Sequence, residues 1–484
     1  MKKRPNIAKN YLYNLMYQIL AVITPLLTTP YISRVIGENG IGIYSYSFSI
    51  TSYFAIFAAL GINTYGKLQI AGARDSKEKT SALFWEIFLA RIATAALSII
   101  IYIVFVMLFD HRYQTMLFIL GLNVLSVAID ITWFFQGLEM FSVTVVKDTV
   151  IKITSVVCIF IFVKDKSDLY KYAFIIQGSS FLGFAVLWGN VRSQLIRTKI
   201  DMRNIIKHWT RCWIYFIPTL ANTMYSYVDK TMIGAMINTR ENGFYEQASK
   251  IQQVAMSVIT SVSTVGLPRM AYLFKNKKYE EVKDKFAYCL SFVLMVSIPM
   301  VAGIILVADI LVPWFLGPSF ERSIILLRIL SLLILISGLG MTVGQMIVMP
   351  SGKQKQYNYS RIGGLIVNIF LNYLLIKRMG AVGAAAASVF SEFVVLVGFS
   401  LSSGKYFKIQ NVMKNAINYL IAAMVMTIVV LFEKHLSITS TFLQLMVIAI
   451  SGGIVYCLSL LVLRDKMFVE AIGVIKSKIK GRIG

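Results

Sequence analysis

Residues 82–108 read ALFWEIFLARIATAALSIIIYIVFVML, an apolar run in which Glu86 and Arg91 are the only charged side chains. At about 1.5 Å per residue, a helix of this length spans about 40 Å, more than the roughly 30 Å of bilayer hydrocarbon. Of the 484 residues, 57% are hydrophobic, a composition typical of a chain that lies mostly against lipid. The sequence therefore predicts a polytopic helical membrane protein.

Thirteen further stretches follow the same pattern, each long enough to cross a bilayer and separated from the next by a short polar loop. We place all the predicted spans at residues 10–33, 41–62, 82–108, 114–135, 142–163, 170–189, 212–233, 243–267, 286–308, 323–348, 357–376, 380–402, 415–432 and 441–463.

The distribution of Lys and Arg predicts the orientation in the membrane, because basic loops are retained on the cytoplasmic side. With a cytoplasmic N-terminus, the inner loops and tails hold about two thirds of the 48 basic residues. We therefore expect both termini in the cytoplasm. This topology accounts for most of the formal net charge of +25, together with attraction to anionic membrane lipids, and no nucleic-acid partner is expected.

A short segment of the sequence occurs twice in the chain. Gly42-Ile43-Tyr44 after the first span matches Gly243-Phe244-Tyr245 after the seventh, in the same kind of loop. Two copies of six spans each would be related by an axis along the membrane normal. The alternative is a chance similarity between glycine-rich loops.

We expect an all-α fold, which the repeat, if it is real, divides into two similar halves. About 14 transmembrane helices would form two pseudo-symmetric six-helix bundles plus two C-terminal helices. The predicted domains are an N-terminal bundle (1–205), a C-terminal bundle (206–402), and two additional helices with a basic cytoplasmic tail (403–484). A cleft between the two bundles is expected.

Catalytic chemistry is not indicated. The three histidines are far apart in the sequence and each lies in a loop or at a membrane edge, and no phosphate-binding GxxxxGK[ST] loop is present. We therefore expect no enzyme activity, no cofactor and no metal, which leaves a secondary transporter, a channel or a scaffold.

Four segments carry a resemblance to a known family: NYLYNL at 10–15, YISRVIGENGIGIY at 31–44, WFFQGLE at 133–139, and Asp229-Lys230 shortly before MIG at 232–234. Together they resemble a Wzx-type polysaccharide repeat-unit flippase, a polysaccharide biosynthesis and export protein. That family belongs to the multidrug/oligosaccharidyl-lipid/polysaccharide exporter superfamily, so the resemblance implies a fold similar to that of a MATE transporter. The first and third segments are the more specific ones, and the later spans resemble the family only in pattern.

The resemblance implies a function in the cytoplasmic membrane. The protein would move an undecaprenyl-pyrophosphate-linked oligosaccharide from the inner to the outer leaflet by alternating access, for cell-surface polysaccharide synthesis. The polyprenyl-pyrophosphate-linked oligosaccharide and membrane lipids are the implied partners, with a polysaccharide polymerase and other assembly proteins as further candidates.

Charged residues inside spans are candidates for a wet cavity, since an unpaired charge in hydrocarbon costs at least a few kcal/mol. A pyrophosphate needs cations, which Arg supplies as a bidentate donor and Lys as a point charge. The predicted head-group residues are Arg34, Arg91, Lys152, Lys230 and Arg328. Neutralising Arg91 or Arg328 is predicted to abolish transport and to leave membrane insertion intact.

Other residues in the spans are candidates for coupling and gating. Asp130, Asp229 or Glu392 would bind a proton or sodium ion, or act only in the structure. Pro25 and Pro218 lie in the first and seventh spans, and each removes a backbone hydrogen bond, so they are candidate gate residues or static kinks.

Asp148 and Glu246, two further acids inside predicted spans, have an explanation other than a place in a wet cavity. Asp148 lies four residues before Lys152, and Glu246 lies four residues before Lys250, so each pair would share one helix face and neutralise itself. Two alternative functions also remain, a cation-coupled multidrug antiporter of the same superfamily and a non-transporting scaffold for polymer assembly.

Overall fold

The computed structural model describes residues 7–109, 112–406, 409–435, 440–470 and 473, with side chains described from residue 23 onward except at 109, 262, 264–265, 405 and 409–415. This part of the chain is helical and contains no strand. The predicted basic C-terminal tail lies largely outside it. The helices are α1 (Ile7–Ala59), α2 (Ile62–Ala73), α3 (Lys77–Phe109), α4 (Gln114–Ile129), α5 (Thr132–Gly137), α6 (Phe141–Phe162), α7 (Leu169–Val191), α8 (Met202–Met236), α9 (Thr239–Lys275), α10 (Tyr279–Phe315), α11 (Ser323–Val343), α12 (Gln354–Met379), α13 (Ala381–Ser403), α14 (Ile409–Lys434) and α15 (Thr441–Val462).

Each predicted span coincides with helical structure, so the prediction of an all-α polytopic membrane protein is confirmed. Within the described residues, 11 helical stretches are long and apolar enough to cross a membrane. The stretch Ile23–Ala73 contains the end of the first predicted span and all of the second. Helices α6 and α8 are not among the 11, because α6 carries Lys147, Asp148 and Lys152 and α8 is rich in polar residues.

Two glycines interrupt the long helical stretch at the start of the chain. Gly37 has φ 75° and ψ 176°, which breaks the α-helical backbone inside α1. Gly61 has φ 71° and separates α1 from α2, with Leu60 also at positive φ. Because positive φ strains residues with a Cβ, Gly at these two positions lets the chain change direction without that cost.

The described helices group into two compact units, Met1–Glu246 and Gln247–Gly484, and α9 begins in the first and continues into the second. In the first unit, α8 packs on α1, α2 and α3. In the second unit, α12 and α11 both pack on α13, and α14 and α15 pack on α10. The predicted division at residues 205 and 402 stays a prediction.

An aromatic core joins α2, α3 and α5 in the first unit. Phe84, Trp133 and Phe134 are fully buried, with the Phe84 and Trp133 rings stacked at 5.7 Å between centroids. Gly66 on α2 lies under the Trp133 ring, where a Cβ would come within 2.5 Å of ring carbon Cε3. Burial of large aromatic side chains is among the strongest stabilising contributions to a core, and this one holds α5 against α2.

Candidate functional site

The span predicted at 114–135 is broken near its middle. Helix α4 ends at Ile129 and α5 starts at Thr132, because Asp130 adopts an extended backbone with ψ 115°. A break within a membrane exposes carbonyl groups that must find donors inside the protein. The indole nitrogens of Trp188 and Trp133 donate to the carbonyls of Ile129 (2.9 Å) and Asp130 (3.2 Å).

Arg91 completes the hydrogen bonding of this break. Its Nε donates to the Val127 carbonyl (2.6 Å), Nη1 to Oδ1 of Asn63 (2.9 Å), and Nη2 to Oδ2 of Asp130 (3.4 Å). Oδ1 of Asp130 accepts from the Thr132 backbone N–H (2.8 Å). The Arg91 side chain is 0% exposed, so protein atoms enclose its charge in this conformation. The predicted roles of Arg91 in substrate binding and of Asp130 in ion coupling stay predictions.

Lys230 on α8 forms an ion pair with Glu246 on α9. Nζ lies 2.7 Å from Oε2 of Glu246, which also accepts a hydrogen bond from the Ser45 hydroxyl (2.9 Å). The Tyr227 ring lies 5.6 Å from the same ammonium. The structure therefore pairs Glu246 with a lysine of the neighbouring helix. The pairing of Glu246 with Lys250 that the helical spacing suggested stays a prediction.

The next residue along α8, Asp229, is also held inside the protein. Its Oδ2 accepts a hydrogen bond from the Tyr245 hydroxyl (2.6 Å), and the side chain is 7% exposed. Tyr245 is one of the residues by which the sequence repeat was recognised. Its copy, Tyr44, accepts a hydrogen bond from Gln177 (3.2 Å).

The two copies of the repeated segment touch each other. A Cβ on Gly42 would overlap the carbonyl of Thr239, and a Cβ on Gly243 would overlap the carbonyl of Glu38. Ser45 and Glu246, which are 201 positions apart, are hydrogen-bonded to each other. Gly42 and Gly243, and likewise Glu38 and Thr239, have the same separation, so these contacts are reciprocal. Reciprocal contacts are the mark of a local two-fold relation between two segments.

Polar pairs surround this glycine crossing. Arg240 donates to Glu38 through Nε (3.0 Å), and the Thr239 hydroxyl donates to Oδ1 of Asn39 (2.8 Å). The Asn242 amide nitrogen donates to the carbonyl of Gly42 (3.1 Å).

Two more predicted cations lie on other helices of the first unit. Arg34 is exposed on α1, one turn before the break at Gly37. Lys152 is half-buried on α6. Asp148, which the spacing suggested as the partner of Lys152, has its carboxylate 2.5 Å from Lys147 Nζ.

In the second unit, Arg328 on α11 lies beside Asp309 on α10. Nη2 is 3.8 Å from Oδ1 of Asp309, and Nε donates to the Ile305 carbonyl (3.1 Å). Lys434 on α14 also pairs with Asp309, at 2.8 Å. The Arg328 side chain is 37% exposed, so this cluster is far more open than the one around Arg91.

The remaining predicted residues are an acid and two prolines. Glu392 on α13 is buried and pairs with Arg361 Nη1 at 3.0 Å. Pro25 lies inside α1 and Pro218 inside α8, and both helices continue beyond them. Ion coupling at Glu392 and gating by the prolines stay predictions.

Sequence reasoning missed Asn63 and Asp309. Both had been placed in loops, and each contacts its arginine from a different helix, which residue spacing within one helix does not reveal. It also missed an apolar groove of about 600 Å³ between α10, α14 and α15, lined among others by Met295, Met300, Met426 and Ile448. The signal that could have indicated this groove was the pair of apolar C-terminal spans predicted at 415–432 and 441–463.

Comparison with known proteins places the chain in a family of polysaccharide biosynthesis proteins. The family model described as "Polysaccharide biosynthesis protein" matches residues 7–274, more than half of the chain. A protein of Escherichia coli (strain K12) named "Putative O-antigen transporter" is 22% identical over 81% of this chain and 95% of its own length.

Solved structures give the same fold. The structure titled "Lipid II flippase MurJ, inward closed conformation" aligns with a TM-score of 0.76 and 14% identity, over 95% of this chain and 100% of that chain. An inward-facing multidrug resistance MATE family transporter of the MOP superfamily aligns with a TM-score of 0.59 and 15% identity, over 81% of this chain and 99% of that chain. The predicted MATE-like fold and the resemblance to polysaccharide exporters are thereby confirmed. The chain belongs to the polysaccharide biosynthesis protein family.

Proposed function

We propose that this membrane protein is a flippase for lipid-linked saccharides. It moves undecaprenyl-pyrophosphate-linked oligosaccharide repeat units from the cytoplasmic to the outer leaflet by alternating access. The observation that carries the proposal is the match, over most of both chains, to a relative named as an O-antigen transporter. The similarity in fold to the protein named as a lipid II flippase supports it.

The cargo poses two physical demands, and the first is the pyrophosphate. Carrying it unpaired through hydrocarbon would be prohibitive, so the path needs water and cations. We propose that Arg34, Lys152 and Arg328, which are exposed or half-buried, contact the head group during transport. Arg91 and Lys230 would act from within their ion pairs, as part of the electrostatic environment of the path.

The second demand is the polyprenyl chain, which must stay in an apolar environment. The groove between α10, α14 and α15 is lined by Met, Ile, Leu, Val and Gly residues, with Tyr456 and Cys457 as its weakly polar members. At about 600 Å³ it has room for part of a polyprenyl chain. We propose that it accommodates that part, which leaves only the head group to cross.

A multidrug antiporter of the same fold is the alternative. A site for organic cations needs carboxylates whose charge is available to the drug. Here Asp130, Glu246 and Glu392 each form an ion pair with a basic residue of another helix. This pairing favours a transport path in which positive and negative charges balance. The exposed Arg34 and Arg328 add positive charge, which favours an anionic cargo.

We propose the cytoplasmic membrane as the location, with both termini in the cytoplasm, on the basis of the Lys and Arg distribution. A polysaccharide polymerase is a proposed partner at the outer leaflet, since the product of flipping is the substrate for polymer growth.

Cargo selection in proteoliposomes tests the function. Purified protein is reconstituted, and transport of a polyprenyl-diphosphate-linked saccharide is compared with transport of ethidium, each with and without a proton or sodium gradient. The flippase proposal predicts movement of the saccharide and none of ethidium. Gradient-driven ethidium movement without saccharide movement would establish the antiporter, and movement of neither by folded protein would favour the scaffold.

A further inference from the structure

A short polar face on α2 lies directly above the buried Arg91 pair. Ile62, Tyr65 and Ile70 of this helix are buried, whereas Asn63 and Lys67 are exposed. Residues four apart on a helix lie one above the other, so Asn63 and Lys67 share one face. Thr64 and the apolar Leu68, both also exposed, border that face.

The orientation of the Asn63 amide is fixed by its partner. Arg91 Nη1 lies 2.9 Å from Oδ1 of Asn63, and a guanidinium can only donate hydrogen bonds. The atom facing Arg91 must therefore be the amide oxygen, and the usual ambiguity between amide oxygen and nitrogen does not arise. The two N–H donors of Asn63 are therefore not used by Arg91, and the residue is exposed.

The start of α2 lies at membrane depth, although the second span was predicted to end at residue 62. Asn63 contacts Arg91, which lies nine residues inside the predicted span 82–108. An ammonium and an amide directed into hydrocarbon would each cost several kcal/mol, so a helix face that carries both is expected to line water. The Arg91 and Asp130 charges beneath it cancel, which leaves the Lys67 ammonium as the net charge of the face.

We propose that Asn63 and Lys67 form a binding site for a phosphate-bearing lipid head group. Asn63 offers two N–H donors, Lys67 a positive charge with three donors, and Thr64 a hydroxyl, an arrangement that matches phosphate oxygens. Asn63 also lies in the first turn of α2, whose N-cap is Gly61, a residue with no side chain to cap the helix. The backbone N–H groups there add positive potential. The site deepens the proposed function, on which its assignment to a transported head group rests.

One isosteric substitution separates ligand binding from folding. Asn63→Asp keeps an oxygen acceptor for Arg91 and replaces both amide N–H donors with a second acceptor that carries negative charge. We expect its thermal unfolding temperature in detergent to equal or exceed that of wild type. Its affinity for farnesyl diphosphate, measured by titration calorimetry, should fall by about tenfold or more, as expected when charge-assisted hydrogen bonds are lost.

Lys67 is tested in parallel. Lys67→Met should weaken farnesyl diphosphate binding by about tenfold, and Lys67→Arg should stay within about threefold of wild type, because the charge is retained. The matched controls are Asn190→Asp on α7 and Lys79→Met on α3, which make the same chemical changes at exposed positions elsewhere. Both controls should bind like wild type.

The source of the phosphate is resolved by changing the probe. Tighter binding of farnesyl diphosphate than of phosphatidylglycerol supports the transported head group, and the reverse order assigns the site to a membrane lipid. Wild-type affinity in folded Asn63→Asp and Lys67→Met overturns the site. In that case saccharide transport by the wild-type chain would still uphold the flippase, whereas Asn63-dependent binding without transport would uphold the site and overturn the function.

Discussion

Two arginines inside membrane helices, Arg91 and Arg328, look alike in the sequence and differ in the structure. Arg91 is 0% exposed and donates to three fixed acceptors, including Asp130. Arg328 is 37% exposed, and its nearest carboxylate, that of Asp309, lies 3.8 Å away. Burial, more than position along a span, thus decides whether an arginine is part of the framework or is open to a ligand.

The largest expected effect is on folding, at Arg91. Arg91→Met leaves the Asp130 carboxylate buried without its cation and removes the donor to the Val127 carbonyl. Breaking a buried pair from one side typically costs about 3–5 kcal/mol. We expect a strong fall in the thermal unfolding temperature and in the yield of monodisperse protein. An unfolding temperature equal to that of wild type would show that the surroundings of Arg91 are no more rigid than those of Arg328.

A smaller loss is expected from crowding the same region. Gly66→Ala places a methyl group against the buried Trp133 ring, which has little room to move, so we expect a cost of about 1–3 kcal/mol. Gly72→Ala, on the same helix, meets nothing within 4 Å and should be neutral or stabilising by up to about 1 kcal/mol. Equal unfolding temperatures for the two variants would mean that the contact between α2 and α5 yields easily.

Removing the charge of Asp130 as well should partly restore the stability that is lost in Arg91→Met. In the Arg91→Met background, Asp130→Asn eliminates the unpaired carboxylate and keeps an oxygen to accept from Thr132. We expect the double variant to unfold at a higher temperature than Arg91→Met alone. A purely additive loss in the double-mutant cycle would contradict coupling between Arg91 and Asp130.

The smallest effect on folding is expected at Arg328. Arg328→Met removes a half-exposed pair of a kind worth about 0–1 kcal/mol, and Asp309 keeps Lys434 as a partner. We expect a nearly unchanged unfolding temperature together with loss of transport, because Arg328 is a proposed head-group contact. Normal transport would remove Arg328 from the path, with Arg328→Lys as the control that preserves charge.

The helices could be predicted from the sequence, because apolar runs of membrane length leave the backbone no other way to satisfy its hydrogen bonds. The repeat identified the segments that contain Gly42 and Gly243, but it did not predict that they contact each other. The ion pairs were harder to predict. Lys230 with Glu246 and Arg328 with Asp309 join different helices, and spacing along one helix says nothing about its neighbour.

The predictions made from the sequence gave Arg91 and Arg328 the same role. The depth of a residue within a span does not reveal whether other protein atoms bury its side chain. What separates them is the break between α4 and α5, which creates carbonyl groups that only a buried donor can reach. Gly37, at the other break, lay inside a segment identified by its resemblance, where the backbone angle itself could not be inferred.

Transport of the cargo itself tests the account most directly. Wild-type protein is reconstituted into vesicles that hold a polyprenyl-diphosphate-linked saccharide in both leaflets, and the fraction of sugar accessible to an external glycosidase is measured over time. The account predicts that this fraction rises toward completion with folded protein and stops at the outer-leaflet share in protein-free vesicles. An identical plateau in both preparations would contradict it.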